Sequence, residues 1–233
     1  MATTARLRPP RAGSRLQTVV QVSNASSITQ GAARLRRRSE ARRLDILRAA
    51  ARVFRRRGFA AAGMREIADE ADLSPGNLYY YFSGKDEILY FCQDRTLEQL
   101  LAAAAAARAS GAPQPAQLRT VMQAHLRCML DELEGATAHL EPEALPEGLR
   151  RQIVAKRDAY ERAIRALVAE GVERGAFAPC DPALVTRAIL GAMNWTARWY
   201  RPDGPQPVGE VAAALADYLA RGLVPAPSPG GGA

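Results

Sequence analysis

Residues 73–89 read LSPGNLYYYFSGKDEIL and predict a short helix between two turns. Ser74 is a residue type that caps helix N-termini, and Pro75 suits the first turn because its φ is already helical. The sequence Ser-Gly-Lys breaks the helix after Phe82. The fold follows from what surrounds this short helix.

A second short helix precedes it, because Met64, Ile67 and Ala68 have the i, i+3, i+4 spacing of one helix face. Only residues 71–73 separate the two helices, and an amphipathic helix over residues 42–57 precedes both. Two short helices joined by so short a turn are typical of a helix-turn-helix DNA reader, whose second helix enters the major groove. Because proteins that do not bind DNA also contain this geometry, a purely core-forming helix pair stays open.

Four consecutive aromatic residues end the second of these helices, in a chain of which only 6% are aromatic. One turn of helix holds about 3.6 residues, so four neighbours cannot all face the core. Leu78, Tyr81 and Phe82 have the spacing of a buried face. Tyr79 and Tyr80 then project outward, where their hydroxyls could donate to phosphate oxygens.

The rest of the chain reads as helices separated by proline- and glycine-rich turns, with no stretch that alternates long enough for a strand. The predicted class is therefore all-α, with about nine helices. We divide the chain into a disordered basic tail over residues 1–39, a helix-turn-helix domain over 40–86, an effector-binding and dimerisation domain over 87–223, and a disordered tail over 224–233.

Positive charge is concentrated towards the N-terminus. Residues 1–95 contain 18 Lys+Arg and 9 Asp+Glu, whereas the remainder contains 14 and 15. This asymmetry indicates an anionic partner, nucleic acid first and a membrane surface second. A solvated basic tail without a partner would have the same composition.

Residues 58–89 resemble the DNA-binding domain of the TetR family of bacterial transcriptional regulators. The shared features are a Gly-aromatic end to the first helix, an Ile-Ala pair in the second, and a patterned third helix with a lysine at its exit. In this chain they are Gly58-Phe59, Ile67-Ala68, Leu73-Ser74, Gly76, Leu78-Tyr79, Tyr81-Phe82, Lys85 and Leu89. The resemblance implies a regulator, not an enzyme, that binds double-stranded operator DNA as a homodimer and responds to a small-molecule effector.

The resemblance also implies two groups of DNA contacts, with short residues at the base-reading end of the third helix and tyrosines and a lysine at phosphate positions. With neighbouring positions in the first two helices, the predicted DNA-binding residues are Arg42, Arg43, Gly63, Arg65, Ser74, Pro75, Gly76, Asn77, Tyr79, Tyr80, Tyr81 and Lys85. Two positions depart from the family pattern. Ala62-Gly63 replaces a helix-capping Thr or Ser, which leaves only backbone N–H groups for a phosphate there, and Tyr81 replaces a common His.

Two apolar stripes with helical spacing run along the C-terminal half. An apolar surface needs a cover, and the resemblance implies that the last two long helices form a four-helix bundle with those of a second copy. Core packing within one chain is the alternative. The predicted dimerisation residues are Ala188, Ala192, Trp195, Trp199, Val211, Leu215 and Tyr218.

The segment from Asn194 to Gly204, NWTARWYRPDG, resembles a branch of the family that controls lipid, steroid or aromatic-acid breakdown. Several members of that branch respond to acyl-CoA thioesters, which need an apolar channel and cations for their phosphates. With one face of the central helix, this gives the predicted effector residues Met122, His125, Met129, Arg162, Asn194, Trp195 and Arg198. A regulator of multidrug type with a lipophilic effector is the alternative.

Other function classes lack their sequence signatures. Without a Gly-rich phosphate loop or a Ser/His/Asp arrangement, we expect neither acyl-CoA turnover nor a cofactor. Three cysteines and two histidines are too scattered for a metal site: Cys92, Cys128, Cys180, His125 and His139. No run of about 18 apolar residues exists, so we expect a cytoplasmic protein without a membrane partner. A helical interaction module that does not bind DNA is the remaining alternative.

Overall fold

The computed structural model describes residues 15–130, 144–201 and 203–225. In these ranges the chain forms helices and no strand, which confirms the predicted all-α class. Eight helices are present there, against about nine predicted: α1 Arg15–Arg57, α2 Met64–Glu70, α3 Pro75–Tyr81, α4 Lys85–Ala109, α5 Gln114–Leu130, α6 Glu147–Glu173, α7 Pro182–Trp199 and α8 Val208–Arg221.

Helix α1 begins much earlier than the sequence pattern indicated. We predicted a disordered tail over residues 1–39, whereas the helix begins at Arg15. Residues 15–39 lack a lasting apolar period, but they contain no proline and a single glycine, Gly31, so they hold no strong helix breaker apart from it. Gly58 ends α1 with a φ of 77°, the left-handed conformation of a C-terminal cap.

The chain divides into two compact units, Met1–Asp45 and Ile46–Ala233. The first unit contains the N-terminal part of α1, and the second contains everything from the middle of α1 onward. The domain boundary that we predicted after residue 86 falls in the first turn of α4. Three predictions concern residues outside the described ranges: the first part of the N-terminal tail, His139, and the tail from residue 226.

The helix-turn-helix region has its own buried side chains. Residues without exposed surface come from α1, α2, α3 and the start of α4: Ile46, Ala49, Ile67, Ala68, Leu78 and Ile88. Two aromatic pairs add to them, with ring centroids 5.2 Å apart for Phe54 and Phe59 and 5.9 Å apart for Phe82 and Phe91. The spacing of the apolar residues in the sequence places the fully buried ones on inward helix faces.

Helices α4 to α8 enclose a second, larger core. α4 packs on α5 and α6, α5 packs on α8, and α7 packs on α5 and α6. Every one of these helices contributes buried apolar side chains, among them Leu100, Leu118, Met122, Ile164, Val168, Met193, Ala212 and Ala216. This core holds the walls of the cavity described below.

The end of α6 contains the tightest packing contact among the described glycines. Phe177 is buried, and its backbone N–H and that of Ala176 donate to the Gly171 carbonyl oxygen at 3.0 and 2.8 Å. This wraps the chain back so that the Phe177 ring lies directly on Gly171. A Cβ atom at position 171 would lie 2.1 Å from a carbon of that ring, so only glycine fits there.

Candidate DNA interface and effector cavity

The start of α3 is an exposed edge of short side chains. The Asn77 backbone N–H donates to Ser74 Oγ at 3.2 Å, which confirms Ser74 as the helix cap, and Pro75 occupies the first turn. Ser74, Pro75, Gly76 and Asn77 are all exposed. Because these side chains are short, the backbone at this edge is accessible to the surface of another molecule.

The aromatic run divides between core and surface as its spacing predicted, except at Tyr81. Leu78 and Phe82 are buried, whereas Tyr79 and Tyr80 are 54% and 81% exposed. Tyr81 was expected on the buried face but is only partly buried, with its ring edge-on to that of Tyr80 at 5.1 Å. Two tyrosine hydroxyls are therefore available to solvent on the surface of α3.

The turn between α2 and α3 depends on a strained backbone conformation. Asp72 has a φ of 53°, the one positive φ outside glycine among the described residues. Backbone bonds hold it on both sides: Ala71 N–H donates to the Ile67 carbonyl at 3.0 Å, and Leu73 N–H donates to the Ala68 carbonyl at 2.9 Å. Aspartate tolerates this conformation better than most residues do. The resulting turn sets the angle at which α2 and α3 cross.

Ion pairs fasten α2 to α1. Both carboxylate oxygens of Glu70 accept hydrogen bonds at 2.6 Å, one from Arg52 Nε and one from Arg56 Nη2. These two bonds lower the pKa of the Glu70 carboxyl below its ordinary value. Arg57 and Glu66 form a further pair at 3.3 Å. Helix α2 is therefore held to α1 by charge-assisted hydrogen bonds and ion pairs from three arginines.

One predicted phosphate contact in α2 is already occupied within the protein. We expected the backbone N–H at Gly63 to face phosphate, but it donates to Glu66 Oε2 at 3.2 Å. Glu66 stands at the third helical position, from which a carboxylate reaches back to the cap. Arg65 is exposed on α2. Arg42 and Arg43 lie on α1 in the first unit, and their DNA contacts stay predictions.

Lys85 differs most from its predicted role. Its ammonium donates to the carbonyl oxygens of Phe59, Ala60 and Ala62 at 3.0, 2.9 and 3.2 Å. An ammonium group has three hydrogens, and these three carbonyls use all of them. Lys85 therefore fixes the loop before α2 to the first turn of α4, which is a positioning role. No local pattern indicates that this loop returns to α4, so a phosphate was the expected partner.

We expect Lys85→Met to weaken DNA binding about tenfold, because the loop before α2 would lose the donor that holds it and ordering that loop on DNA would then cost about 1.4 kcal/mol of binding free energy. The slope of log affinity against log salt should not change. A lysine on a phosphate would instead lower that slope by about one. Fluorescence anisotropy across a salt series measures both quantities. Arg65→Met is the matched control: Arg65 is exposed and is a predicted DNA contact, so its loss should reduce the slope.

A cavity of about 220 Å³ lies among α4, α5, α6 and α7. Its apolar lining comes from Leu97, Leu100 and Leu190, and the remaining residues are Gln93, Thr96, His125, Arg157, Asp158, Tyr160, Glu161 and Asn194. A dry protein cavity of about 150 Å³ is large enough to bind benzene. This cavity therefore suits a small organic group with an apolar body and several polar contacts.

A polar cluster forms one side of the cavity, with His125 and Tyr160 buried and Asn194 exposed. His125 Nδ1 lies 3.3 Å from the Tyr160 hydroxyl, and His125 Nε2 lies 3.1 Å from Asn194 Oδ1. Both contacts are satisfied when Tyr160 donates to Nδ1 and Nε2–H donates to Asn194. Burial lowers the pKa of His125 to about 4 and raises that of Tyr160, so both side chains are neutral at pH 7.

Burial of His125 should make the protein less stable in mild acid. Below pH 6.5 the His125 side chain is protonated in the unfolded chain, whereas in the folded protein it stays neutral down to about pH 4. The free energy of unfolding should therefore fall between these values, by about 2 kcal/mol at pH 5, at about 1.36 kcal/mol per pKa unit. Urea unfolding at pH 7 and pH 5 tests this. In His125→Gln, the fall in the free energy of unfolding between pH 7 and pH 5 should be smaller by about 2 kcal/mol. An equal fall in both proteins would contradict the prediction.

Gln93 and Thr96 are polar residues on the α4 side of the cavity. Neither was among the effector residues predicted from the sequence. Gln93 is 1% exposed, and neither its Nε2 nor its Oε1 has a hydrogen-bond partner among the described residues. The Thr96 hydroxyl donates to the Cys92 carbonyl at 3.0 Å. The available signal was that both polar residues interrupt the apolar stripe of α4 at buried positions.

The cavity contains only two of the predicted effector residues, His125 and Asn194. Met122 and Met129 belong instead to the packed core, because their helix face points into the bundle. The others, Arg162, Trp195 and Arg198, are exposed and do not line the cavity. The basic residue that does line it is Arg157, on α6.

The exposed apolar surface of α7 and α8 coincides with most of the predicted dimer face. The exposed members are Leu184, Ala188, Trp195 and Trp199 on α7 and Tyr218 on α8. Ala192 and Leu215 are half-buried. Val211 was wrongly placed on this face: it is buried among Met129, Leu130, Tyr200 and Val208, because α8 turns that side towards its own bundle.

No described helix combines the length and the apolar content that crossing a membrane requires. Within the same residues, no three histidine, cysteine or carboxylate side chains cluster closely enough to share a metal ion. The features that the described residues do bring together are an exposed helix-turn-helix edge and a cavity among α4, α5, α6 and α7 that opens to solvent beside Asp158 and Asn194.

Two family models match the chain. Residues 46–90 match the model of bacterial regulatory proteins of the tetR family. Residues 111–223 match the model of the tetracyclin repressor-like C-terminal domain. The first contains the helix-turn-helix edge, and the second contains the cavity wall from α5 onward and the apolar face of α7 and α8.

Individual proteins are similar over most of the chain. The transcriptional repressor KstR2 of Mycobacterium tuberculosis is 29% identical over 180 residues, which cover 75% of this chain and 90% of that protein. The structure of PfmR from Thermus thermophilus, a TetR family transcriptional regulator, superimposes with a TM-score of 0.69 at 37% identity, covering 76% of this chain and 97% of that one.

The structure of AibR in complex with isovaleryl coenzyme A and operator DNA has a TM-score of 0.66, covering 79% of this chain and 98% of that one. Because the sequence identity is only 22%, this similarity establishes a shared fold and nothing about function.

Proposed function

Because this chain belongs to the TetR family of bacterial transcriptional regulators, we propose that it represses transcription by binding a palindromic operator as a homodimer. Its family consists of DNA-binding regulators rather than enzymes. In our proposal, the exposed start of α3 reads bases in the major groove, and the tyrosines beside it contact phosphates. Repression rather than activation is supported by the similarity to KstR2, which is a repressor.

The observation that carries the DNA-binding part is the α3 edge. Ser74, Pro75, Gly76 and Asn77 are exposed together at the end of a helix whose opposite face is locked into the core. The N-terminal residues of a recognition helix are the ones that reach base edges in a helix-turn-helix protein. In a dimer, the two α3 helices would enter successive major grooves, about 34 Å apart.

We propose that a small effector bound in the cavity releases the protein from DNA. The cavity is lined by α4, and the first residue of α4 holds the loop before α2. A ligand that fits better when α4 is displaced would also displace this loop. Release then requires only that the effector bind more tightly to the form with the wrong spacing of recognition helices.

An acyl-CoA thioester is the effector class that we propose, with a lipophilic drug as the alternative. KstR2 is a ketosteroid transcriptional regulator, and AibR, which shares the fold, binds isovaleryl coenzyme A together with operator DNA. At about 220 Å³ the cavity suits a small acyl group but not a whole coenzyme A. In this proposal the coenzyme A part extends outside, past Arg157.

The DNA-binding proposal is tested with two substitutions on α3. After an operator has been selected from random DNA, Tyr79→Phe should weaken binding to all base variants of that operator, because it removes a phosphate contact. Asn77→Ala should change which base is preferred, by about 1–3 kcal/mol at that position. If the two proteins ranked the base variants in the same order, the assigned roles would be wrong.

Thermal melting against acyl-CoA thioesters, free acids and lipophilic drugs tests the effector. A ligand that binds the folded state raises the melting temperature. We expect a short acyl-CoA to do so and free coenzyme A not to, and the same ligand should release the protein from its operator. A shift with a drug and with no thioester would support the multidrug alternative.

A further inference from the structure

Gln93 has an unusual environment for a buried amide. Its side chain borders the cavity, is 1% exposed, and has no hydrogen-bond partner for either polar atom among the described residues. Both polar atoms have almost no accessible surface, so a ligand in the cavity would meet them only after the side chain rotates. Buried polar groups in proteins are almost always paired, so each exception needs an explanation. A protein that kept this amide for folding alone would lose stability for no gain.

We infer that Gln93 is the specificity residue of the cavity and binds a neutral ligand group that both donates and accepts a hydrogen bond, such as a hydroxyl or an amide. This inference rests on the proposed function in taking the cavity as the effector site. The amide of Gln93 offers one donor group and one acceptor, so a group with both satisfies it completely.

The other polar residues of the cavity favour a neutral group over an ion. His125 and Tyr160 are already bonded to each other and are neutral at pH 7. The charged lining residues, all on α6, are Arg157, Asp158 and Glu161. One base against two acids leaves no surplus positive charge for a carboxylate, and an ammonium group has no acceptor for the Gln93 N–H.

The free protein should be more stable without this amide. Leucine has no polar atoms, so Gln93→Leu removes the unpaired groups and extends the apolar surface of Leu97 and Leu100. We therefore expect a higher melting temperature together with an altered ligand preference. A glutamine that only supports the fold would give a lower melting temperature.

Four probes of similar size separate the possible ligand classes: phenylacetamide, ethylbenzene, phenylacetate and 2-phenylethylammonium. Isothermal titration should give the tightest binding for phenylacetamide in the native protein, at least about tenfold tighter than for the others, since leaving a buried amide unpaired costs about that much. In Gln93→Leu the preference should reverse towards ethylbenzene.

The matched control is Gln117→Leu. Gln117 is also buried with a partnerless Oε1, but its Nε2 donates to the Ala112 carbonyl at 2.6 Å and it does not line the cavity. This variant should leave the ranking of the probes unchanged and should not raise the melting temperature.

Any other ranking of the four probes by the native protein, including no binding at all, overturns the inference. A Gln93→Leu protein with a lower melting temperature or an unchanged preference overturns it as well. Operator release is measured separately. If the probes bind as expected but no cavity ligand releases DNA, the inference about Gln93 holds and the effector part of the proposed function fails.

Discussion

Gly171→Ala is expected to lower the free energy of unfolding by about 2–4 kcal/mol, although alanine is the better helix former. The new Cβ would lie 2.1 and 2.3 Å from two carbons of the Phe177 ring, much closer than atoms can approach. Either the buried ring leaves its site or the last turn of α6 unwinds. Either change should lower the free energy of unfolding by nearly as much as deleting a buried aromatic side chain would.

Chemical denaturation of three further variants isolates this contact. Gly148, also in α6, has open space around its Cβ position, so Gly148→Ala should raise stability by up to about 1 kcal/mol through helix propensity. In Phe177→Ala the ring is gone, and adding Gly171→Ala should cost nothing more. A destabilisation that persists in this double mutant would show that the ring is not the cause.

The parts of the fold that follow from short-range chemistry were predictable. The end of α2 at Glu70 agrees with the predicted turn over residues 71–73, because apolar spacing and neighbouring turn residues define so short a helix locally. Ser74 and Gly58 marked helix ends because capping and the left-handed conformation depend on single residues. The division of the aromatic run into buried and exposed members followed from helix geometry.

What could not be predicted depends on contacts between distant parts of the chain. Lys85 meets carbonyls more than twenty positions away, so its use as an internal donor is invisible in any local pattern. The cavity is formed by four helices whose relative rotation no periodicity specifies, which is why Met122 and His125, three positions apart, have different surroundings. The wrong prediction for Val211 has the same cause, because an apolar stripe in the sequence does not specify which neighbouring helix will cover it.

Trp195→Glu is the other substitution with a large expected effect: it should convert the homodimer that we propose into monomers. Trp195 is 65% exposed on α7, in line with Ala188 and Trp199. Such an apolar surface needs a partner, and a second copy covers it in our proposal. A two-fold interface would then bury two unpaired carboxylates, at a cost of several kcal/mol.

Loss of the dimer should remove operator binding with it. Two linked recognition helices gain about 10²–10⁴ in affinity because the second half-site is bound within one complex, and a monomer loses that gain. Sedimentation velocity and operator titration of the same sample measure both effects. Val154→Glu, which adds the same charge at an exposed apolar position of α6, should change neither. Because Trp195 is mostly exposed, its replacement should leave the thermal unfolding of the protomer intact. If Trp195→Glu remained a dimer with native operator affinity, the apolar face of α7 would not be the interface, and the two half-sites would have to be joined through another surface.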